Sequence, residues 1–85
     1  MFDKFKQMKQ LKEFENSLKK QTLSKEKNGI TVTLNLKMEI LDIKLNPALE
    51  IGEQEKKVRE CINDAMNEAK MEMAKQAQSM GGFGF

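Results

Sequence analysis

Residues 30–47 read ITVTLNLKMEILDIKLNP, and this stretch decides the fold class. In its first eight residues Ile, Val and Leu alternate with Thr, Asn and Lys, which is the period of a strand with one buried face. A second apolar run follows over 38–45. Asn46-Pro47 ends that run, because proline cannot donate to a central ladder. The pattern predicts two neighbouring strands.

The second run changes phase near its middle. Leu41, Ile43 and Leu45 share one face by the two-residue period, whereas Met38 and Ile40 fall on the other. A β-bulge accounts for this shift, and so does burial of the strand on both faces. The sequence leaves both explanations open.

A third strand is predicted upstream of this pair. Asn28-Gly29 is a strong hairpin turn signal, and it joins the strand at residue 30 to the polar segment TLSKEK at 22–27. That segment has the character of an edge strand blunted by lysine.

Residues 3–22 are predicted to form a helix, because Lys, Gln, Glu, Met and Leu dominate and Gly and Pro are absent. Leu11, Phe14 and Leu18 cluster on one face, with most of the lysines opposite. Phe2 and Phe5 drift onto the lysine side. Phe2 and Phe5 can contact the same core as Leu18 only if the helix packs around another body, such as a partner subunit.

A second helix is predicted over residues 53–79. Its apolar stripe contains Cys61, which we interpret as a small buried hydrophobe, with a redox role as the alternative. The other members of the stripe are Val58, Ile62, Ala65, Met66, Ala69 and Met73.

The predicted fold class is α+β: an N-terminal helix, a three-stranded antiparallel sheet and a long C-terminal helix. One domain is expected over 1–80, followed by a flexible Gly/Phe tail over 81–85. A chain of 85 residues with five Phe and no Tyr or Trp builds a thin core. We therefore expect an intertwined or sheet-packed homodimer, with an interface that includes Phe2, Phe5, Ile40, Leu41 and Ile43.

Charge is distributed unevenly along the chain. Residues 1–28 carry eight lysines against four acids, whereas residues 50–85 carry five basic and seven acidic residues. A basic N-terminal part favours an anionic partner such as nucleic acid or a membrane surface. One cysteine excludes an intramolecular disulfide, and neither a secretory leader nor a spanning segment is evident, so a cytoplasmic location is expected.

Three segments together resemble the YbaB/EbfC family of bacterial nucleoid-associated proteins. MFDKFKQMKQLKEFENSLKK resembles its first helix, ITVTLNLKMEILDIKLNPAL its central strands, and EQEKKVRECINDAMNEAKMEMAKQAQSM its last helix, with a glycine-rich end. The chain departs from the family at the second turn, where Asn35-Leu36 replaces Asn-Gly. Leu resists positive φ, so another turn type or a longer turn is expected there.

The resemblance implies a homodimer in the nucleoid that binds duplex DNA with little sequence preference, alters its conformation and influences gene expression. The lysines fit this chemistry, because non-specific binding needs cations that meet phosphates. With Arg59 as the sole arginine, bidentate reading of guanine is not expected. The residues expected to contact DNA are Lys4, Lys6, Lys9, Lys12, Lys19 and Lys20.

Other functions fit less well. With no His, one Cys without a base, no phosphate-binding loop and no metal-ligand spacing, we expect no enzyme, cofactor, metal or small-molecule substrate. A dimeric protein-interaction or chaperone-like module is the main alternative, although its arms would need continuous heptads. Acids within the first helix argue against a membrane partner. The lysines could also form only a solvated face.

Overall fold

The chain folds as helix, three strands and helix, in agreement with the predicted α+β class. The computed structural model describes the backbone of residues 2–79 and the side chains of residues 4–79. The elements are α1 (Phe2–Lys20), β1 (Thr22–Lys27), β2 (Ile30–Asn35), β3 (Ile40–Lys44) and α2 (Ile51–Ser79). The strands form one antiparallel sheet in the order β1-β2-β3. The predicted tail at 81–85 lies outside the described residues.

The β1–β2 hairpin forms at the predicted turn. Asn28 and Gly29 have φ values of 52° and 83°, the pair of positive angles that a type I′ turn requires. Lys27 pairs with Ile30 directly across it. The Asn46 amide donates to the Asn28 carbonyl at 2.8 Å and so ties this turn to the segment before α2.

The second turn is longer than a two-residue hairpin, one of the two outcomes that the sequence left open. The positive φ falls on Met38, at 66°, and not on Leu36. Asn35 is 1% exposed. Its side-chain oxygen accepts hydrogen bonds from the Lys37 and Glu39 amides at 2.9 and 3.0 Å, while its amide donates to the Glu39 carboxylate at 2.7 Å.

A bulge explains the phase shift in β3. Thr33 pairs with Asp42, but the next residue of β2, Leu34, pairs with Ile40, so Leu41 is the extra residue. Every residue of β3 is exposed in the single chain. The strand is also shorter than the predicted 38–45.

The core lies between the sheet and α2. Ile30, Val32 and Leu34 of β2 are fully buried, and they meet a face of α2 made of small residues. That face contains Cys61, Ala65 and Ala69, each 0% exposed. The predicted stripe of α2 is therefore confirmed, and α2 packs mainly on β2 and β1.

The two helices do not share the cover of the sheet. Only the last part of α1 reaches the core, through buried Leu18 and half-buried Phe14. Residues 4–13 of α1 are all exposed. The described chain measures 58 Å along its longest axis, more than the length of about 44 Å expected for a 29-residue helix such as α2. The first half of α1 therefore projects from the body.

The sheet face opposite α2 is polar. The residues there include Ser24, Glu26, Thr31, Thr33 and Asp42, with Lys44 at the edge. The Ser24 and Thr33 hydroxyls are hydrogen-bonded at 2.7 Å. A polar face of this kind is stable in water without a cover.

Asn35→Ala is expected to lower the free energy of unfolding by about 2 kcal/mol, because the Lys37 and Glu39 amides lose their acceptor inside the turn. Urea unfolding at a fixed protein concentration measures the change. Asn63→Ala, at an exposed position of α2, is the matched control. Equal stability of the two variants would show that the turn does not depend on Asn35.

Candidate nucleic-acid interface

The lysines predicted to bind DNA all lie on α1, and all are exposed. In the described side chains, the salt bridges involve Lys25, Lys27 and Lys57 and none of the α1 lysines. Their charges are therefore available to an external anion. The set is Lys4, Lys6, Lys9, Lys12, Lys19 and Lys20.

These lysines do not form one single row. By the helical period, Lys9, Lys12, Lys19 and Lys20 share an arc of about 100°, roughly opposite buried Leu18. Lys4 and Lys6 flank this arc on either side. From the first to the last lysine the helix rises about 24 Å, so α1 presents a basic surface several phosphates long.

The structure shows a second basic surface, which the sequence analysis did not identify. Lys56, Arg59 and Lys70 of α2 are exposed and, by the helical period, lie within an arc of about 60°. Exposed Asn63 lies between them. The helical spacing of these three residues indicates the surface from the sequence alone. The summed charge of residues 50–85 does not, because it is negative.

Three acids of α2, Glu60, Asp64 and Glu68, lie on another flank, where lysines of β1 partly neutralise them. The Lys25 ammonium is 2.8 Å from Glu68, and the Lys27 ammonium is 2.8 Å from Asp64 and 4.0 Å from Glu60. β1 is an edge strand, as predicted. Its lysines do not act only to blunt the edge, however, because they point to the helix side and bridge the strand to α2.

These contacts shift the pKa values of the groups that take part. The hydrogen bond from Lys27 lowers the pKa of Asp64, and the same contact raises the pKa of Lys27. The hydrogen bond to Glu68 likewise raises the pKa of Lys25. In the Lys27–Asp64 pair both pKa shifts favour the charged forms.

Apolar side chains are exposed along β3, where three of the predicted dimer-interface residues lie. Ile43 pairs with Val32 and Ile40 with Leu34, so both point to the α2 side of the sheet. They lie beyond the cover of α2 and remain 40% and 43% exposed. Leu41 and Leu45 are 53% and 57% exposed. We call Ile40, Leu41, Ile43 and Leu45 the β3 apolar strip.

The two predicted interface phenylalanines lie on α1, away from this strip in sequence. Phe5 is 77% exposed, and the side chain of Phe2 lies outside the described residues. The structure of one chain does not bring Phe5 together with the β3 apolar strip, and the interface role of both phenylalanines stays a prediction.

The chain has one thiol, and it lies in the core. Cys61 is buried, as predicted, and its thiol donates to the Ile30 carbonyl at 3.7 Å. Burial raises the pKa of this thiol. No group of three or more His, Cys, Asp or Glu side chains in this range is placed to hold a metal ion. None of the helices between residues 2 and 79 combines the length and apolarity of a membrane span.

The comparison with known families agrees with this geometry. Residues 1–83 match the YbaB/EbfC DNA-binding family. This chain belongs to the YbaB/EbfC family. No curated protein and no solved structure matches it. For a YbaB/EbfC protein, the exposed and unpaired lysines of α1 are the expected kind of surface, because DNA presents a dense row of phosphates.

Asp64→Asn is expected to reduce the loss of stability on acidification. The pKa of Asp64 is lowered in the folded state, so its contribution is present above the unfolded value of about 3.8 and is lost as the pH falls through the folded value. Urea midpoints at pH 7 and pH 3 measure the loss. Asp42→Asn, on the open sheet face, is the control. An equal acid loss in both variants would contradict a role for the Lys27–Asp64 pair.

Proposed function

We propose that this YbaB/EbfC protein binds duplex DNA as a homodimer with little sequence preference and acts as a nucleoid-associated protein in the cytoplasm. By bending or bridging DNA it would alter DNA conformation and influence gene expression. The observation that carries the proposal is the basic surface of α1, which projects from the body with its lysines exposed and unpaired.

The side chains favour contact with the DNA backbone over reading of bases. A lysine ammonium acts as a point charge, whereas the planar fork of arginine matches the guanine edge. The single arginine, Arg59, lies on α2 among Lys56 and Lys70. Cations spread over two helices fit phosphates along a duplex and supply little discrimination between sequences.

The β3 apolar strip supports the homodimer. β3 is an edge strand, so its outer backbone groups lack a neighbouring strand in the single chain. Its apolar side chains extend past the cover of α2. A second copy placed against this edge would bury them, and the two α1 helices would then project from one common body. A dimer would also double the number of cations that face DNA.

The same features support a binding protein without catalysis, cofactor or small-molecule substrate. Lys25 and Lys27 are engaged in ion pairs with α2, and the one thiol is buried against a backbone carbonyl. A membrane partner is not proposed, because α1 carries acids at Glu13 and Glu15 among its lysines.

Lys9→Gln with Lys12→Gln is expected to weaken binding to a random-sequence duplex and to flatten its salt dependence. Four cations per dimer are removed, so the log–log slope should fall in magnitude by about three and a half units. Fluorescence anisotropy of a labelled duplex at several salt concentrations measures both. A duplex of different sequence should give the same affinity within about threefold.

The matched control is Lys37→Gln with Lys44→Gln, which removes the same charge from the second turn and β3. This control should keep the parent slope. If both double variants change the slope equally, net charge and not α1 determines binding. If the parent protein does not bind DNA at low salt, the proposal fails, and a dimeric protein-interaction module becomes the better explanation of the β3 apolar strip.

Ile43→Asp is expected to weaken the dimer by at least about tenfold, because it places a carboxylate in the β3 apolar strip. Sedimentation velocity over a concentration series measures the dissociation constant, with circular dichroism as a check on folding. Leu45→Asp lies just beyond the strand and repeats the test where the fold is less sensitive. Met71→Asp, on an α2 residue that is 72% exposed, is the control and should remain dimeric.

A further inference from the structure

The projecting part of α1 is joined to the body at one end only. Its residues 4–13 are exposed, and contact with the body begins at Phe14 and is completed at Leu18 and Gln21. The backbone adds hydrogen bonds at the same place, because the Leu36 amide lies 3.1 Å from both the Leu18 and Gln21 carbonyls. We call Leu18–Gln21 the joint.

A pair of amide side chains closes this joint against α2. Gln21 donates to the Gln76 side-chain oxygen at 2.9 Å, and Gln76 donates back to the Gln21 side-chain oxygen at 2.6 Å. Fifty-five residues separate the two in sequence. Both side chains are half-buried, and each is also held within its own segment, Gln21 by Ser17 and Gln76 by Glu72.

The Gln21–Gln76 pair restrains the angle between α1 and α2, which apolar packing alone leaves free. Leu18 is an apolar contact near the pivot, and apolar contacts are not directional. Two reciprocal hydrogen bonds, by contrast, require a defined distance and a defined angle between the amides. Because Gln21 follows α1 directly and Gln76 lies in the last turns of α2, this geometry fixes the direction of one helix relative to the other.

We infer that Gln21 and Gln76 are positioning residues that set the angle of α1 and thereby the spacing between the α1 lysines and the basic surface of α2. From Leu18 to Lys4 the helix rises about 21 Å. A rotation of about 15° at the joint therefore moves Lys4 by about 5 Å, more than the axial phosphate spacing of about 3.4 Å on one strand. The angle decides which phosphates the two surfaces meet together.

This inference rests on the proposed DNA binding, but it makes a separate statement about the free protein. Neither glutamine carries charge, so their removal leaves every cation in place. Loss of the pair should weaken binding, since a mobile arm must be ordered when DNA binds. The salt slope should stay the same, because the number of phosphates that can be neutralised does not change.

The first measurement is the distance between α1 and α2 by pulsed electron spin resonance. Spin labels at Gln10→Cys and Asn67→Cys, both exposed positions, are placed in a Cys61→Ala background and diluted with unlabelled protein to suppress distances between subunits. Gln21→Ala and Gln76→Ala should each broaden the distance distribution. Gln78→Ala, at an exposed position near the same helix end, is the matched control and should leave it narrow.

The second measurement is DNA anisotropy at several salt concentrations with the same variants. Gln21→Ala and Gln76→Ala should weaken binding by about fivefold, the equivalent of one lost hydrogen bond, with the parent slope. Gln21→Glu combined with Gln76→Lys replaces the pair by an ion pair without changing net charge. This double variant should restore the narrow distribution and most of the affinity.

The outcomes separate this inference from the proposed function. An unchanged distance distribution in Gln21→Ala and Gln76→Ala overturns the positioning role, whatever happens to DNA binding. A broadened distribution with unchanged affinity also overturns it, since the angle would then not matter to DNA. Failure of the parent protein to bind DNA at low salt sinks the proposed function itself, and the spin-label distances still report on the joint.

Discussion

The close packing of α2 on β2 is the contact on which the rest of the structure depends. The helix face that meets the strand is made of Cys61, Ala65 and Ala69, and these small side chains allow the helix axis to lie near the sheet. The fully buried Val32 and Leu34 fill the space between them. A chain this short has few large side chains, so a tight contact over a small area supplies most of its core.

That contact also determines what remains uncovered. One helix centred on β2 reaches β1, where Lys25 and Lys27 bridge to its acidic flank, but it does not shield β3. The uncovered strand, β3, carries Ile40 and Ile43 on the helix side. Core packing in the single chain therefore leaves an apolar edge, which the proposed dimer would bury.

Charge is separated by the same architecture. The acids of α2 that face β1 are partly neutralised by its lysines, while α1 stands clear of the body and keeps its lysines in solvent. A net charge of +2 per chain understates this arrangement. The field that a DNA phosphate meets depends on where unpaired cations lie, and α1 and the outer face of α2 both present them. The Gln21–Gln76 pair joins the end of α1 to the last turn of α2.

The sequence by itself determined the element order, the turn at Asn28-Gly29 and the buried stripe of α2, because these follow from short-range periods and turn chemistry. It also placed exposed lysines on α1. Only the tertiary structure decided that a bulge at Leu41 shifts the alternation of side chains along β3. The same holds for the projection of α1 away from the sheet and for the contact between Gln21 and Gln76. The reason is physical: such features depend on contacts between residues far apart in the chain, and alternation or helical spacing carries no record of them.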